Sequence, residues 1–407
     1  MDAIGNRQSS ICNPVKVAIN AVAAKMSGAV TYLSSLLEHL PPPERGYQFF
    51  VFLPRETATT LADVRGNIEV CPLPGDTSSG WRRLWWEQIT LRRFLRKEKV
   101  AVLFSTANFA MFRCPVRQVL LVRNAIYFSK MYQELVLGNH GLGFRLDFSF
   151  RRWLNLQSVR SADVVMTPTQ AMLDEVAQFV KLDPRKASVN CYGVDQPEAS
   201  QGDFAASRAV ANRQVIRLLY VSLYSEHKNL SALLKAMPIL NSNGSGKFLL
   251  RTTVDPAWEG AAWTFTHKDD LALARRPEVA PWVEFLGPLA KHQVQQLYRE
   301  ADVFVFPSYC ESFGHPMVEA MAHGLPIVAS DTPVNREICG DAAVYFSPFD
   351  PDDLADKVRL LGSDAALREK LGATGRRRAD AQFRWRDHVA RLLQSFGNLA
   401  PRQPASA

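Results

Sequence analysis

Short apolar runs alternate along the chain with segments of helical periodicity. In the first half the runs occupy residues 15–20, 47–53, 68–73, 100–105, 118–122 and 163–169. The helical patterns between them lie near 29–40, 81–98, 145–160 and 170–180. The runs are apolar at successive positions, which is typical of parallel strands covered by helices on both faces. The pattern therefore predicts βαβ units around a parallel sheet.

The second half repeats this arrangement. Its apolar runs occupy 217–223, 248–254, 283–287, 302–308 and 326–331, and its helical patterns lie near 229–240, 291–300, 315–323 and from 350 to about 396. The segment 195–214 is small, polar and poor in strand formers. We therefore expect an α/β protein of two Rossmann-like domains, 1–200 and 213–380, with a linker at 201–212 and a final helix within 381–400. Their parallel sheets are expected to face a ligand-binding cleft.

Length and charge fit this division. The 407 residues exceed the size of one typical core, so two domains are expected. The net charge of +8 lies mainly in residues 1–200, where 24 Lys and Arg stand against 17 Asp and Glu. A basic first half indicates an anionic partner there: a phosphorylated or lipid-linked ligand, a membrane surface or nucleic acid.

The cysteines argue against two other classes of protein. The six of them are scattered, without a C-x-x-C pair, which disfavours a zinc site and a disulfide scaffold and favours a reducing compartment. The polar start MDAIGNRQSS does not resemble a signal peptide, and no apolar run approaches 18 residues. We expect a cytoplasmic protein that does not span a membrane.

The stretch ESFGHPMVE, residues 311–319, lies where a buried run ends and a helical pattern begins. Gly314 and Pro316 suit a loop that enters a helix, because proline is tolerated in the first turn. The backbone N–H groups of Phe313, Gly314 and His315 would then point out of a helix N-terminus, which attracts phosphate oxygens. This part of the chain therefore predicts a phosphate site.

Two glutamates bracket that predicted phosphate site. Glu319 lies about one turn into the helix, and helical side chains lean toward the N-terminus. Its two oxygens match a pair of vicinal hydroxyls, such as those of a ribose. Glu311 lies on the other side, where a sugar would be. The alternative is that these acids only favour the helix dipole.

The segment Val283–Pro348, which contains this motif, resembles the donor half of glycosyltransferase family 4. These are retaining enzymes of GT-B fold with a Glu-x7-Glu motif. The resemblance implies that Glu311 faces the hydroxyls of the donor sugar, that Glu319 binds the ribose, and that backbone amides from Phe313 onward hold the diphosphate. It also implies that the last helix crosses back to the first domain and that catalysis needs no metal or other cofactor.

A looser match concerns the cation at the diphosphate. VSLYSEHKNLSALLKA (221–236) resembles the strand–loop–helix in which the family supplies a lysine, and Lys228 is the matching residue. Its charge would neutralise the leaving diphosphate, although a solvated loop lysine is the alternative. Family members usually carry an arginine five or six positions earlier, where this chain has Ser222 and Leu223. Either His227 or Arg251 takes over that charge, or phosphate binding is weaker. Ser222 and His227 are expected among the residues that bind the donor.

The acceptor side resembles the family less closely. SGAVTYL (27–33) occupies the position of a glycine-rich loop, so Ser27 and Gly28 are expected near the acceptor, with a plain helix-entry glycine as the alternative. Where many members have a histidine after the fifth strand, this chain has Arg123, Asn124 and Tyr127. Arg123 and Asn124 are candidate catalytic residues because they follow a buried strand.

WEQITLRRFL and LLVRNAIYFS resemble members of the family that act on bacterial surface polysaccharides. The resemblance thus implies a retaining transfer of a sugar from a nucleotide-diphosphate-sugar, for example GDP-mannose, to a saccharide or lipid-linked acceptor. The product would belong to lipopolysaccharide, capsule or exopolysaccharide. Two alternatives stay open: a nucleotide-sugar epimerase of GT-B fold, and a non-catalytic GT-B partner subunit.

Three further features have competing interpretations. Residues 81–100 hold seven basic residues and three tryptophans, and 144–160 add a second basic–aromatic patch, so peripheral contact with an anionic membrane competes with ordinary core packing. No nucleic-acid-binding module is visible. The string DPD (350–352) is interpreted as a helix cap rather than a metal site. His140 is a plain loop histidine or an acceptor contact.

Overall fold

The computed structural model describes residues 14–24, 27–60, 65–73, 80–197, 215–242, 247–257 and 266–399. They form two compact units. The first takes in the described residues up to Leu121, together with Ser158–Val165 and the described residues from Val389. The second takes in Val122–Gln157 and Met166–His388. The predicted linker, 201–212, lies outside the described residues, and the predicted domain boundaries stay a prediction.

A seven-stranded sheet contains the strands of the first half, in the order β3-β2-β1-β4-β5-β6-β7. They are β1 Val15–Asn20, β2 Tyr47–Leu53, β3 Ile68–Pro72, β4 Val102–Ser105, β5 Arg117–Leu121, β6 Val164–Thr167 and β7 Ala187–Val189. The helices of this half are α1 Ser27–His39, α2 Arg55–Thr60, α3 Gly80–Trp86, α4 Arg92–Lys97, α5 Lys130–Val136, α6 Leu142–Ser161 and α7 Gln170–Ala177. In the core, Ala18 of β1 is paired with Phe50 and Leu103 of its two parallel neighbours.

A six-stranded sheet contains the remaining described strands, in the order β10-β9-β8-β11-β12-β13. They are β8 Val215–Tyr220, β9 Lys247–Thr252, β10 Val283–Phe285, β11 Val303–Phe306, β12 Ile327–Ser330 and β13 Ala343–Phe346. The helices are α8 Leu230–Asn241, α9 His267–Ala274, α10 Lys291–Glu300, α11 His315–Ala322, α12 Pro333–Cys339, α13 Pro351–Ser363, α14 Ala365–Gln382 and α15 Trp385–Leu399.

The order of the second sheet reverses between β8 and β11. The chain leaves β8 toward β9 on one side and later returns to β11 on the other side. At such a switch point the two outgoing loops diverge and leave room for a ligand beside the carboxyl ends of the strands. The loop after β8 carries Lys228, and the loop after β11 carries Glu311, so the strand order brings these two loops together.

Every predicted strand is present, with ends shifted by a few residues. Two short strands, β7 and β13, were not predicted, and neither were α2, α5, α9 and α12. The helix predicted at 81–98 is wrong in its middle, where Glu87–Leu91 forms a π-helical segment between α3 and α4. The buried Glu87 accepts a hydrogen bond from the Asn20 side chain at 3.0 Å there.

The DPD string behaves as a cap. The Asp350 side chain accepts hydrogen bonds from the backbone N–H groups of Asp352 and Asp353, each at 3.0 Å, at the start of α13. This confirms the interpretation of the string as a helix N-cap. Among the helices that the structure describes, none combines the length and the apolar character needed to cross a bilayer.

Candidate active site

The start of α11 has the backbone geometry that the motif predicts. Gly314 precedes the helix with φ 78° and ψ 61°, and Pro316 lies in the first turn. A Cβ atom at Gly314 would lie 2.5 Å from Cε of Met317 and 3.4 Å from the Phe306 ring, so the backbone conformation favours glycine and an added Cβ would have to displace the end of the Met317 side chain. The helix therefore begins at His315 with its N–H groups directed back toward the loop.

Lys228 and Glu311 form an ion pair between the loops that follow β8 and β11. The Glu311 side chain is only 10% exposed and that of Lys228 only 24%. The Lys228 Nζ atom also lies 5.9 Å from the centre of the Phe306 ring. The structure thus brings together two residues that are 83 positions apart and that the sequence predicts at the sugar and at the diphosphate.

The loop of Lys228 is fixed by Asn229, a residue that the sequence did not single out. Asn229 adopts the left-handed conformation with φ 56°, and its side-chain N–H₂ donates to the carbonyls of Pro307 at 3.2 Å and Pro348 at 2.6 Å. The Tyr220 hydroxyl donates to the Lys228 carbonyl at 2.9 Å. An asparagine directly after the lysine was the available signal, because Asn tolerates this conformation.

Glu319 lies on α11, where the Tyr298 hydroxyl donates a 2.9 Å hydrogen bond to Oε2. Burial raises the pKa of the Glu319 carboxyl to about 7; the hydroxyl of Tyr298 opposes this rise. The charge of Asp195 also raises this pKa, and that of Lys291 lowers it. The carboxyl therefore changes its charge near neutral pH, which suits a group that contacts a ligand.

His315 stacks on Tyr192, with ring centres 5.0 Å apart and an interplanar angle of 3°. Burial lowers the pKa of His315 to about 3, and the charges of Arg123 and Lys228 act in the same direction. The imidazole is therefore neutral at pH 7, and two cations lie near this helix start. Its buried Nε2 atom has no hydrogen-bond partner among the described residues. The Phe313 side chain is buried, which restricts its predicted ligand contact to the backbone.

Two residues, His227 and Arg251, are the candidates for the additional positive charge. Burial, and then the charge of Lys228, lowers the pKa of His227 to about 3, so this ring is neutral. Arg251 forms ion pairs with Glu284 at 2.9 Å and Glu300 at 2.8 Å, which already compensate its charge. The Ser222 N–H is bound to Oγ1 of Thr253 at 3.0 Å. The neutral His227 ring and the paired Arg251 guanidinium argue against either residue as the missing cation, and its identity stays a prediction.

The acceptor-side candidates belong to different units, Ser27 and Gly28 to the first and Asn124 and Tyr127 to the second. Ser27 and Gly28 form the start of α1. The exposed Asn124 follows β5 and caps the turn Ala125–Tyr127 by accepting from the Ile126 N–H at 3.4 Å. Tyr127 is buried, and its ring lies 5.3 Å from that of Phe148. The Tyr127 side chain is thus a packing residue, and its predicted acceptor contact is not supported.

His140 differs from the plain loop residue that was expected. Its ring stacks on Phe144 at 3.9 Å, and Nε2 lies 3.5 Å from Oε2 of Glu226. Both side chains of the pair are nearly inaccessible, at 6% and 5%. Because Glu226 belongs to the turn that contains Lys228, His140 helps to fix that turn.

Comparisons with known proteins agree with this geometry. Residues 205–378 match the family described as Glycosyl transferases group 1, and residues 26–196 match Glycosyltransferase Family 4. Together the two matches take in most of the chain. The chain belongs to glycosyltransferase family 4, as the resemblance around Glu311 and Glu319 predicted.

The sequence identity to individual curated relatives is modest. The chain is 29% identical over 180 residues to an O-antigen chain mannosyltransferase B of Escherichia coli, which covers 44% of this chain and 45% of the relative. It spans about half the length of the curated relatives it matches.

Solved structures are similar along nearly the whole chain. WaaG, a glycosyltransferase involved in lipopolysaccharide biosynthesis, has a TM-score of 0.68 at 16% identity and covers 94% of this chain and 99% of its own. Anabaena HepE in complex with UDP-glucose has a TM-score of 0.69 at 17% identity and covers 94% and 100%. The predicted GT-B fold class is thereby confirmed.

Proposed function

We propose that the protein is a retaining glycosyltransferase that moves a sugar from a nucleotide-diphosphate-sugar to a hydroxyl of a saccharide or lipid-linked acceptor. The observation that carries this proposal is the Lys228–Glu311 ion pair beside the N-terminus of α11, with Glu319 eight residues after Glu311. A cation, a helix N-terminus and two carboxylates match the phosphates, the sugar and the ribose of such a donor.

The proposed chemistry needs little beyond positioning and charge. The bond between the anomeric carbon and the phosphate oxygen breaks while the acceptor oxygen bonds to the same carbon on the same face. The departing phosphate takes the acceptor proton. Lys228 and the N–H groups of α11 stabilise the negative charge that develops on the diphosphate. Glu311 orients the donor sugar through its hydroxyls. No metal or other cofactor takes part in this scheme.

Arg123 is the second cation in this proposal. It follows β5 by two residues. Its charge adds to the effect of burial in lowering the pKa of His315, and it opposes the rise that burial causes in the pKa of Tyr192, the ring that stacks on His315. Arg123 is partly exposed, and its charge acts on His315, the first residue of α11. We assign to Arg123, rather than to His227 or Arg251, the charge that supports Lys228 at the diphosphate.

The pathway is proposed from the relatives. Similarity to an O-antigen mannosyltransferase and to a glycosyltransferase of lipopolysaccharide biosynthesis supports a role in bacterial surface polysaccharides. The mannosyltransferase supports a mannosyl donor such as GDP-mannose, whereas the HepE complex supports UDP-glucose. The cell compartment proposed for this reaction is the cytoplasm, with peripheral contact at the inner face of the membrane.

A ligand screen tests the proposal. Each nucleotide-sugar is added to the purified protein, and the free energy of unfolding is followed; a ligand at 100 times its Kd stabilises the folded state by about 2.7 kcal/mol. The best donor is then incubated with acceptor saccharides, and the anomeric configuration of the product is read by NMR. An inverted product contradicts the retaining mechanism, and a new sugar isomer formed without acceptor favours an epimerase.

A further inference from the structure

Tyr298 touches the predicted ribose-binding carboxylate from a different helix. Its hydroxyl, on α10, lies 2.9 Å from Oε2 of Glu319, on α11. The hydroxyl also lies 3.4 Å from the Pro316 carbonyl, a distance at which a hydrogen bond is weak. The geometry thus directs the hydroxyl proton mainly to Glu319.

The Tyr298 ring has little freedom to leave this position. It is fully buried, stacks on His323 with ring centres 5.1 Å apart, and lies 5.8 Å from the ring of Phe304. His323 is tied to the same helix turn, because Nδ1 lies 2.8 Å from the Glu319 carbonyl. Packing therefore fixes the position of the Tyr298 hydroxyl, and this hydroxyl fixes one oxygen of the Glu319 carboxylate.

We propose that Tyr298 is a positioning residue that holds the Glu319 carboxylate in the orientation and charge state that recognise the vicinal hydroxyls of a ribose. This inference rests on the proposed function, in which Glu319 contacts the ribose of the donor. An ionised carboxylate offers about four acceptor positions. One hydrogen bond from Tyr298 to Oε2 leaves acceptor positions on both oxygens for the 2′ and 3′ hydroxyls.

The same hydrogen bond also influences the charge of the carboxyl. An ionised carboxylate accepts hydrogen bonds from two hydroxyl groups, whereas a protonated carboxyl must itself donate one. A hydrogen-bond donor such as the Tyr298 hydroxyl favours the ionised form. Burial raises the pKa of Glu319 to about 7 against this effect. The other charged groups that act on it are Asp195 and Lys291, which are paired with each other at 2.5 Å. Ribose recognition thus strengthens as the pH rises through about 7.

The variant Tyr298→Phe keeps the packing and removes the hydroxyl. Calorimetry measures the Kd of UDP and GDP, and of their 2′,3′-dideoxy forms, between about pH 6 and pH 8, on either side of the carboxyl pKa. The ribonucleotide is expected to bind about tenfold more weakly, as for the loss of a hydrogen bond to a charged group. The dideoxy nucleotide is expected to keep its affinity, and the pH midpoint of ribonucleotide binding is expected to rise.

Two further variants make the outcome decisive. Tyr345→Phe is the matched control, because its hydroxyl donates to the Gly340 carbonyl at 2.6 Å, and it is expected to change neither affinity nor pH midpoint. Equal weakening of both nucleotides by Tyr298→Phe, or no weakening, overturns the inference. Glu319→Ala tests the proposed function separately. If Glu319→Ala weakens the ribonucleotide and the dideoxynucleotide equally and so keeps the wild-type preference for ribose, or if wild type binds neither UDP nor GDP, the ribose assignment itself fails.

Discussion

The buried ion pair of Lys228 and Glu311 depends on the residues that hold each partner in place. A buried ion pair loses the hydration of both groups, so it persists where other interactions hold each partner in place. Here Asn229 and Tyr220 hold the lysine turn. A diphosphate that approaches the α11 N-terminus would compete with Glu311 for Lys228 and release the carboxylate toward the donor sugar.

Replacing Lys228 by glutamine is expected to reduce turnover more than donor affinity. The cation acts most strongly on the charge that develops on the leaving diphosphate, so kcat is expected to fall by about 100-fold or more. Steady-state kinetics with the donor found in the ligand screen measures this. Lys235→Gln, an exposed lysine on α8, serves as control and is expected to keep wild-type turnover. Unchanged kcat in Lys228→Gln would remove the lysine from the mechanism.

Ionisation of the buried Glu319 carboxyl lowers the stability of the folded protein, so this stability depends on pH. Its pKa is raised from 4.5 to about 7 in the folded protein, so the folded state holds the proton more tightly than the unfolded chain. The resulting stability is fully present below about pH 4.5 and is lost as the pH rises through 7. Glu319→Gln is therefore expected to raise the melting temperature at pH 8 relative to wild type, with a smaller gain at pH 5. Equal gains at both pH values would contradict the assigned charge change.

At the scale of elements, the start of α11 depends on one glycine. Gly314→Ala forces a side chain into φ 78° and places its Cβ against Met317, so the variant is expected to lose about 1–3 kcal/mol of unfolding free energy. Denaturant unfolding measures this loss. Gly287→Ala is the control, because Gly287 has φ 69° but no atom within 4 Å of the added Cβ. A loss no greater than that of the control would show that Met317 moves away at little cost.

The elements that could be predicted were those whose signal lies in contiguous sequence. Buried strands such as β11 are unbroken apolar runs in the sequence, and Gly314 with Pro316 indicates the start of a helix. No residue of the three-residue β7 is fully buried, so it shows no apolar run, and only the two end residues of β13 are buried. Nothing local marks the π-helical Glu87–Leu91. The π segment contains the buried carboxyl of Glu87, and the hydrogen-bond partner of this carboxyl, Asn20, lies 67 positions away in the sequence.

Some features of the candidate site were likewise predictable from contiguous sequence, and others were not. Glu311, Gly314 and Glu319 lie within nine residues, so their spacing alone suggested a nucleotide-sugar. Tyr298 reaches Glu319 from another helix, and the neutral state of His227 arises from burial, so neither fact was readable from the sequence.

At the scale of the whole molecule, the excess positive charge lies in residues 1–200, and part of it is exposed in a segment that also exposes tryptophans. Trp81 and Trp85 on α3 are 68% and 60% exposed, and Arg93 and Arg96 on α4 are exposed as well. Exposed aromatic rings with nearby cations suit the interface of an anionic membrane. The predicted membrane contact therefore stays a proposal with a defined surface.

Arg92 must be left out of a test of that surface. Its guanidinium donates to the carbonyls of Gln88, Phe112 and Arg113, so changing it would disturb the fold. The double variant Arg93→Glu/Arg96→Glu is expected to reduce sedimentation with phosphatidylglycerol vesicles, and raising the salt to about 0.5 M is expected to weaken wild-type binding by screening. The double variant Arg275→Glu/Arg276→Glu, at two exposed arginines of the second unit, changes the net charge by the same amount and is the control. Undiminished vesicle binding by the Arg93→Glu/Arg96→Glu variant would contradict a membrane role for α3 and α4, and their basic surface would then be only a solvated face.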